Sequence, residues 1–240
     1  MRPAIAIFCL IVAGVVLAAM VSLRTPRPDP LPGDEPPAPP PTSAPAKTDP
    51  KAAAKDLGDV QSRFDKARVG AIRATLEIGN LVDGKDGKKD FVSKGTMELE
   101  LYPQAAPKTV AHLSELSGKN FWDGIKVHRV DAEVAQMGDP SSRDAEVADF
   151  DLKGVGSHGS GTTVPLEVAD KLPNLQYTVG LARTSDPNSG DSQIYINLVD
   201  NPGFDFDYCV LGRVVKGTDI VGKIAKGDVI RHLQIYDAKK

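Results

Sequence analysis

Val127-His128-Arg129-Val130, followed within ten residues by Gln136-Met137-Gly138-Asp139, is the stretch around which the folded part of the chain is organised. Arg129 lies inside an apolar run that is typical of a β-strand, and Gln136 stands just before a glycine turn. An arginine in such a run costs free energy unless it reaches water or has a task. Two interpretations follow: a surface arginine that keeps its head group in water, or a functional arginine.

A second segment of the same kind begins at Gly180-Leu181-Ala182-Arg183 and continues to Gly190-Asp191-Ser192-Gln193-Ile194-Tyr195-Ile196-Asn197. The sequence also predicts a helix that Pro107 opens and Gly118 ends, and a last helix over Asp219–Ala225. Many short strands with two helices predict a closed antiparallel barrel with helical plugs. The predicted flanking strands are Ala71–Ile78, Thr96–Leu101, Cys209–Val215 and Val229–Ile235, and residues 80–94 are predicted to be a long polar hairpin connection.

Composition limits the classes of partner. The 240 residues carry a formal net charge of −3, with a pI near 5.8, so nothing favours nucleic acid or anionic lipid as the main partner. The two cysteines, Cys9 and Cys209, lie in segments of different character, and no disulfide framework is expected.

The N-terminal segment, residues 1–24, predicts a membrane anchor or a signal peptide. No charged residue occurs from Ala4 to Leu23, and twenty residues of helix span roughly 30 Å, the thickness of a bilayer core. The full length favours an uncleaved single-pass anchor, whereas the small residues around Ala18 allow cleavage by a signal peptidase. In both cases we expect the remainder to lie outside the cytoplasm, attached to the cell membrane or released.

Residues 25–50 contain eleven of the nineteen prolines and predict a linker without helix or sheet. An extended polyproline-II spacer of this length reaches roughly 80 Å, at about 3.1 Å per residue. The alternative is a proline-rich ligand for an SH3-like groove. Residues 51–69 then predict a short polar helix, docked loosely, and residues 70–240 a single folded domain.

Other motifs are set aside because their context is wrong. Gly154-Val155-Gly156-Ser157-His158-Gly159 matches a dinucleotide-binding pattern, but no hydrophobic strand precedes it and no helix follows. The four histidines lack the paired spacing of metal ligands, and no G-x-S-x-G elbow is present. We therefore expect neither a metal nor a cofactor.

The ordered set of segments resembles the cyclophilin-type peptidyl-prolyl isomerases over about Ala71 to Ile235. The resemblance includes Ala106-Pro107-Lys108-Thr109-Val110, Phe121-Trp122-Asp123-Gly124 and Leu211-Gly212-Arg213-Val214-Val215-Lys216-Gly217. It implies an eight-stranded closed barrel capped by two α-helices, and catalysis of cis–trans isomerisation at Xaa–Pro bonds of polypeptides, with the chain acting as a monomer.

The resemblance also implies roles for particular residues. Arg129 matches the catalytic arginine and Gln136 a glutamine that binds the peptide. Tyr195 matches an aromatic wall of the proline pocket, although ordinary core packing is the alternative. The remaining matches are Ala182 and Gln193 in the substrate groove, Phe204 where a pocket leucine is usual, and Tyr208 where many members have histidine.

Two departures from the family pattern bear on activity. The segment between Arg129 and Gln136 is one residue shorter than usual, so Glu133 takes the place of a pocket phenylalanine and Val134 that of the next apolar residue. If the gap is placed elsewhere, Glu133 faces solvent. Gly203 stands where many members have a groove tryptophan. The sequence therefore leaves two functions open: an extracytoplasmic foldase, or a weakly active or inactive cyclophilin-like module that binds peptides.

Overall fold

The structure is a computed structural model, which describes residues 50–168 and 172–236 and, for residues 50–58, the backbone alone. The predicted anchor or signal segment, and the predicted linker up to residue 49, lie outside the described residues. Within the described ranges, no helix combines the length and the apolar character that crossing a membrane requires.

Eight strands and three α-helices follow one another along the described chain. Helix α1 comes first and α2 follows the first hairpin, whereas α3 lies between the last two strands. The bounds are α1 Pro50–Ala67, β1 Ile72–Asp83, β2 Lys89–Leu101, α2 Pro107–Gly118, β3 Val127–Val130, β4 Val134–Met137, β5 Thr178–Leu181, β6 Ile194–Asn197, β7 Val210–Lys216, α3 Thr218–Val221 and β8 Val229–Tyr236.

The β1–β2 hairpin is longer than the sequence pattern predicts. Pairing continues to Asp83 opposite Lys89, so only residues 84–88 form the connection, and the prediction of a loop over 80–94 is wrong. Leu81 pairs with Phe91, and the Lys89 ammonium lies 2.6 Å from the Asp83 carboxylate at the end of the ladder. The apolar residues at positions 81, 82, 91 and 92 favour strand, so pairing continues through them, although nearby glycine and aspartate residues suggested a turn.

All pairings in the sheet are antiparallel, in the order β3-β4-β6-β5-β7-β2-β1-β8. The predicted closed barrel is corrected here, because β3 and β8 do not form a ladder. One isolated bridge joins Lys126 to Val229, and four backbone hydrogen bonds of 2.7–2.9 Å link residues 124–127 to residues 227–230. Residues 121–124 are in turns, so this contact is short and does not continue along β8 as a ladder. The sheet curves around one core but keeps a seam at this edge.

The enclosed core is apolar, and α2 and α3 pack against it. Trp122, Ile125 and Met137 are fully buried, and Val110, Leu113 and Leu116 place one face of α2 on the same cluster. Helix α3 has four residues and ends earlier than predicted. The chain after it forms turns, and Asp228 accepts a hydrogen bond from the Ala225 amide over 2.8 Å.

Helix α1 is docked on the sheet, contrary to the expectation of loose docking. Phe64 and Ala67, three positions apart on one helix face, are 4% and 2% exposed and pack with Tyr102 and Val210. Immediately after the helix, Arg68 donates two hydrogen bonds, of 2.9 and 3.1 Å, to Glu100. The boundary at residue 70 stays a prediction, but experiments on the folded part should begin at residue 50 so that this contact is kept.

Candidate active site

Arg129 is held on β3 by two neighbours. Its Nε and Nη2 atoms lie 2.7 and 2.6 Å from Oδ2 of Asp131, and its Nη1 lies 3.4 Å from Oε1 of Gln136. The side chain remains one-third exposed. The guanidinium therefore keeps donors available on an accessible face, while its plane is fixed by a carboxylate and an amide.

Asp131 also shapes the turn that follows β3. Its Oδ1 accepts hydrogen bonds from the amides of Glu133 and Val134, at 2.8 and 2.9 Å. Burial raises the pKa of the Asp131 carboxyl, but these amide donors and the charge of Arg129 outweigh it and hold the pKa below its ordinary value. Asp131 is therefore ionised at neutral pH and binds the arginine and the turn together.

The two predicted groove glutamines form one hydrogen-bonded chain. Gln136 donates from Nε2 to Oε1 of Gln193 over 2.9 Å, and Gln193 donates to the carbonyl oxygens of Gly156 and His158, each over 2.8 Å. Gly138 permits the close approach of β4 and β6, because a Cβ there would lie 2.3 Å from the Ser192 carbonyl oxygen. The two amide groups are thus held in fixed orientations by β4, β6 and the loop at Gly156.

The other predicted pocket residues gather into a separate apolar cluster beside these amides, called here the pocket cluster. Its buried members are Val134, Ala182, Tyr195 and Phe204, exposed by 1%, 9%, 2% and 5%, and Tyr208 packs against them half-buried. The Tyr195 ring centroid lies 5.8 Å from that of Phe204 and 6.0 Å from that of Tyr208. The side chains of the cluster therefore pack mainly against one another and leave little of their surface exposed.

Glu133 and Gly203, the two departures, have different surroundings. Glu133 lies half-buried in the turn before β4, and its carbonyl oxygen accepts hydrogen bonds from the Leu198 amide over 2.8 Å and Asn201 over 3.1 Å. Gly203 is exposed within the short turn Pro202–Phe204 and contributes no ring to the groove.

A buried amide network behind the pocket was missed by the sequence analysis. The Tyr195 hydroxyl donates to Oδ1 of Asn174 over 2.7 Å, and Asn197 donates to the same oxygen over 3.2 Å. The Asn174 amide donates to Asp205, next to Phe204, over 2.7 Å. Complete burial holds the pKa of Tyr195 well above its ordinary value, so the hydroxyl stays a donor. Asn174 lies in an irregular segment, and no local sequence pattern predicts that it binds the Tyr195 hydroxyl.

The glycine motif set aside as a nucleotide site serves the groove instead. Asp139, fully buried, accepts hydrogen bonds from the amides of Gly156 and His158, at 2.5 and 3.0 Å, while the carbonyl oxygens of the same loop hold Gln193. His128 lies next to Gly156 and is buried, which lowers its pKa to about 4. Its imidazole is therefore neutral at physiological pH, beside the arginine.

Comparisons with known proteins place the chain in a family. The family described as cyclophilin type peptidyl-prolyl cis-trans isomerase/CLD matches residues 89–239. A probable peptidyl-prolyl cis-trans isomerase of Brucella suis is 40% identical over 135 residues, which cover 55% of this chain and 68% of the relative. Peptidyl-prolyl cis-trans isomerase B of Bacillus subtilis is 30% identical over 141 residues, which cover 58% of this chain and 90% of the relative.

Solved structures show the same fold. A crystal structure of a cyclophilin type peptidyl-prolyl cis-trans isomerase of Cryptosporidium parvum superposes with a TM-score of 0.54 at 18% identity, over 69% of this chain and 98% of that one. A second crystal structure of that protein, in the presence of the dipeptide Ala-Pro, gives a TM-score of 0.52 over 68% and 98%. With most of the described domain matched in sequence and in fold, this chain belongs to the cyclophilin-type peptidyl-prolyl cis-trans isomerase family.

Proposed function

We propose that this chain isomerises Xaa–Pro bonds in polypeptides outside the cytoplasm and thereby assists their folding. The observation that carries the proposal is Arg129, fixed by Asp131 and Gln136 and still one-third exposed, beside a buried apolar cluster. The described site has an accessible cation and oriented amides at the place where a peptide would lie.

The reaction needs no bond cleavage, and these groups suit it. Conjugation of the amide gives a barrier of roughly 18–20 kcal/mol, which falls if the enzyme binds the twisted bond better than either planar isomer. As the bond twists, the lone pair of the prolyl nitrogen is freed, and the Arg129 guanidinium donates to it. Gln136 and Gln193 hold the peptide while the pocket cluster receives the ring. A millionfold acceleration requires about 8 kcal/mol of such differential binding.

The direct test is isomerisation of a short Xaa–Pro peptide by residues 50–240. We expect a rate that grows in proportion to protein concentration, far above an uncatalysed process that takes tens of seconds or longer. A folded protein that leaves this rate unchanged, while still binding the peptide, would favour the alternative of a non-catalytic peptide-binding module. The almost complete burial of the pocket cluster is the observation that supports that alternative.

The substitution Glu133→Phe tests whether the glutamate at this position lowers the isomerase activity. We expect kcat/KM on one Xaa–Pro peptide to rise by about tenfold, since a buried phenylalanine contributes roughly 1.5–3 kcal/mol less the cost of ordering it. Glu133→Gln is the matched control, because it removes the charge without adding a ring. An equal gain in both variants would assign the effect to charge. No gain in either would mean that Glu133 faces away from the groove.

Residues 1–24 are proposed to anchor the protein in the cell membrane, with the barrel outside the cytoplasm and the proline-rich segment as a spacer. The uninterrupted apolar run from Ala4 to Leu23 supports this location. Membrane fractionation should recover the full-length chain in the membrane, and protease added to intact cells or spheroplasts should cut the barrel. A wholly soluble chain that retains its N-terminus would contradict the anchor, whereas a soluble chain lacking it would indicate a cleaved signal peptide.

A further inference from the structure

Next to the pocket cluster lies a cavity of about 200 Å³. It shares Gln136, Ala182 and Gln193 with the groove, so a peptide whose proline enters the pocket cluster passes its mouth. The volume holds several water molecules and is therefore sufficient for a long side chain. Its other walls are Gly156, Ser157, His158, Gly159, Thr163, Arg183, Thr184, Ser189 and Asp191.

Asp191 is the carboxylate of this cavity. Its Oδ1 is 3.2 Å from Nε2 of His112 and accepts a hydrogen bond from the Ser160 hydroxyl, while its Oδ2 accepts one from the Gly161 amide over 2.9 Å. The side chain is 13% exposed. Over residues 59–168 and 172–236, no lysine or arginine forms an ion pair with it. These bonds fix the carboxylate without supplying a permanent positive charge.

The cationic groups in the cavity wall are engaged elsewhere. The Arg183 guanidinium stacks on Tyr208, 4.9 Å from the ring centroid, and donates to the carbonyl oxygens of Asp207 and Thr184 over 2.7 and 2.8 Å. His158 is half exposed, and its Nδ1 lies 3.5 Å from Asp139. Neither side chain forms a hydrogen bond or ion pair with Asp191 in the described part of the chain.

We propose that Asp191 makes this cavity a subsite for a basic side chain, lysine or arginine, of the peptide near its proline. The proposal rests on the proposed function, because it names the substrates that the same groove prefers. An ammonium or guanidinium group that enters would find one fixed carboxylate, while the Arg183 guanidinium in the cavity wall is held by Tyr208 and two backbone carbonyl oxygens. A glutamate would meet the same carboxylate and be repelled, and an apolar chain would leave it without a cationic partner.

The test uses five-residue peptides with a single proline, in which one variable residue is moved through the other positions. The variable residue is lysine, norleucine or glutamate, and the protein comprises residues 50–240. NMR titration measures Kd, and an isomerisation assay measures kcat/KM on the same peptides. At one position we expect lysine to bind about tenfold more tightly than norleucine, and glutamate to bind more weakly than both. Asp191→Asn should abolish the difference between lysine and norleucine.

Asp151→Asn is the matched control, because it removes an exposed carboxylate that is not among the residues of the cavity wall and should leave the lysine preference unchanged. If Asp191→Asn does not fold, the salt dependence of peptide binding to the wild-type protein still tests the proposal. The lysine preference must then shrink between about 0.02 and about 0.5 M salt, while norleucine binding does not weaken. Equal affinities for the three residues, or a preference that survives Asp191→Asn, would overturn the proposal. A lysine preference in binding without isomerisation would support the subsite and contradict the proposed catalytic function.

Discussion

Replacing Arg129 by alanine is expected to lower kcat/KM on an Xaa–Pro peptide by roughly ten- to a thousandfold, equivalent to about 1.4–4 kcal/mol of transition-state stabilisation. The guanidinium is the exposed donor next to the pocket cluster, and alanine removes it. Because the side chain is one-third exposed and contacts mainly Asp131 and Gln136, the free energy of unfolding should change little. Rapid isomerisation kinetics and denaturant unfolding measure the two quantities.

Arg129→Lys distinguishes charge from geometry. Lysine keeps the positive charge but lacks the planar fork that engages Asp131 and Gln136 together, so we expect it to recover only a small part of the activity. Arg231→Ala is a control for loss of an arginine elsewhere, since Arg231 is half exposed and stacks on Phe91. Full turnover in a correctly folded Arg129→Ala variant would remove this residue from the catalytic assignment.

Gly138→Ala is expected to cause the largest loss of stability, about 3 kcal/mol, together with a loss of peptide binding. Gly138 has a φ of +116°, and an added Cβ would lie 2.3 Å from the Ser192 carbonyl oxygen and 2.7 Å from the Gln193 Cα. Both contacts are to backbone, so relief requires β4 and β6 to separate. That movement would also break the hydrogen bond between Gln136 and Gln193.

Gly118→Ala is the matched control for this substitution. Gly118 is the last residue of α2, its φ is not in the left-handed region, and an added Cβ would meet nothing within 4 Å. Alanine there should leave activity unchanged and raise stability by up to about 1 kcal/mol through helix propensity. Thermal unfolding and peptide titration of both variants measure the contrast. Equal stability of the two variants would contradict the tight contact between β4 and β6.

Periodicity and residue type predicted most strands and α2, and the resemblance to the cyclophilin family implied the grouping of the groove residues. Those features depend on local alternation and on segments whose order along the chain is distinctive. Arg129, Gln136 and Gln193 lie together as expected, and Val134, Ala182, Tyr195, Phe204 and Tyr208 form the apolar wall.

Contacts between distant segments could not be predicted in the same way. Phe64 docks α1 through Tyr102 and Val210, which no local pattern connects to it. Asn174 orients Tyr195 from an irregular segment, and Asp139 organises a glycine loop that resembles a nucleotide motif. The incomplete seam depends on turns before β3, where the sequence alone does not show how much chain remains extended.

The pairing of the first strand with the last has a consequence for the time course of synthesis. Arg73 pairs with Tyr236 and Gly79 with Val229, so one edge of β1 stays unpaired until β8 has been made. At a synthesis rate of about 5–20 residues per second, β8 is translated on the order of ten seconds after β1. During that interval the nascent chain presents an open β-edge, which a chaperone or a neighbouring nascent chain can engage. A ribosome that stalls before residue 229 would therefore leave a partly formed sheet prone to aggregate, although Arg129, Gln136 and Gln193 have already been synthesised.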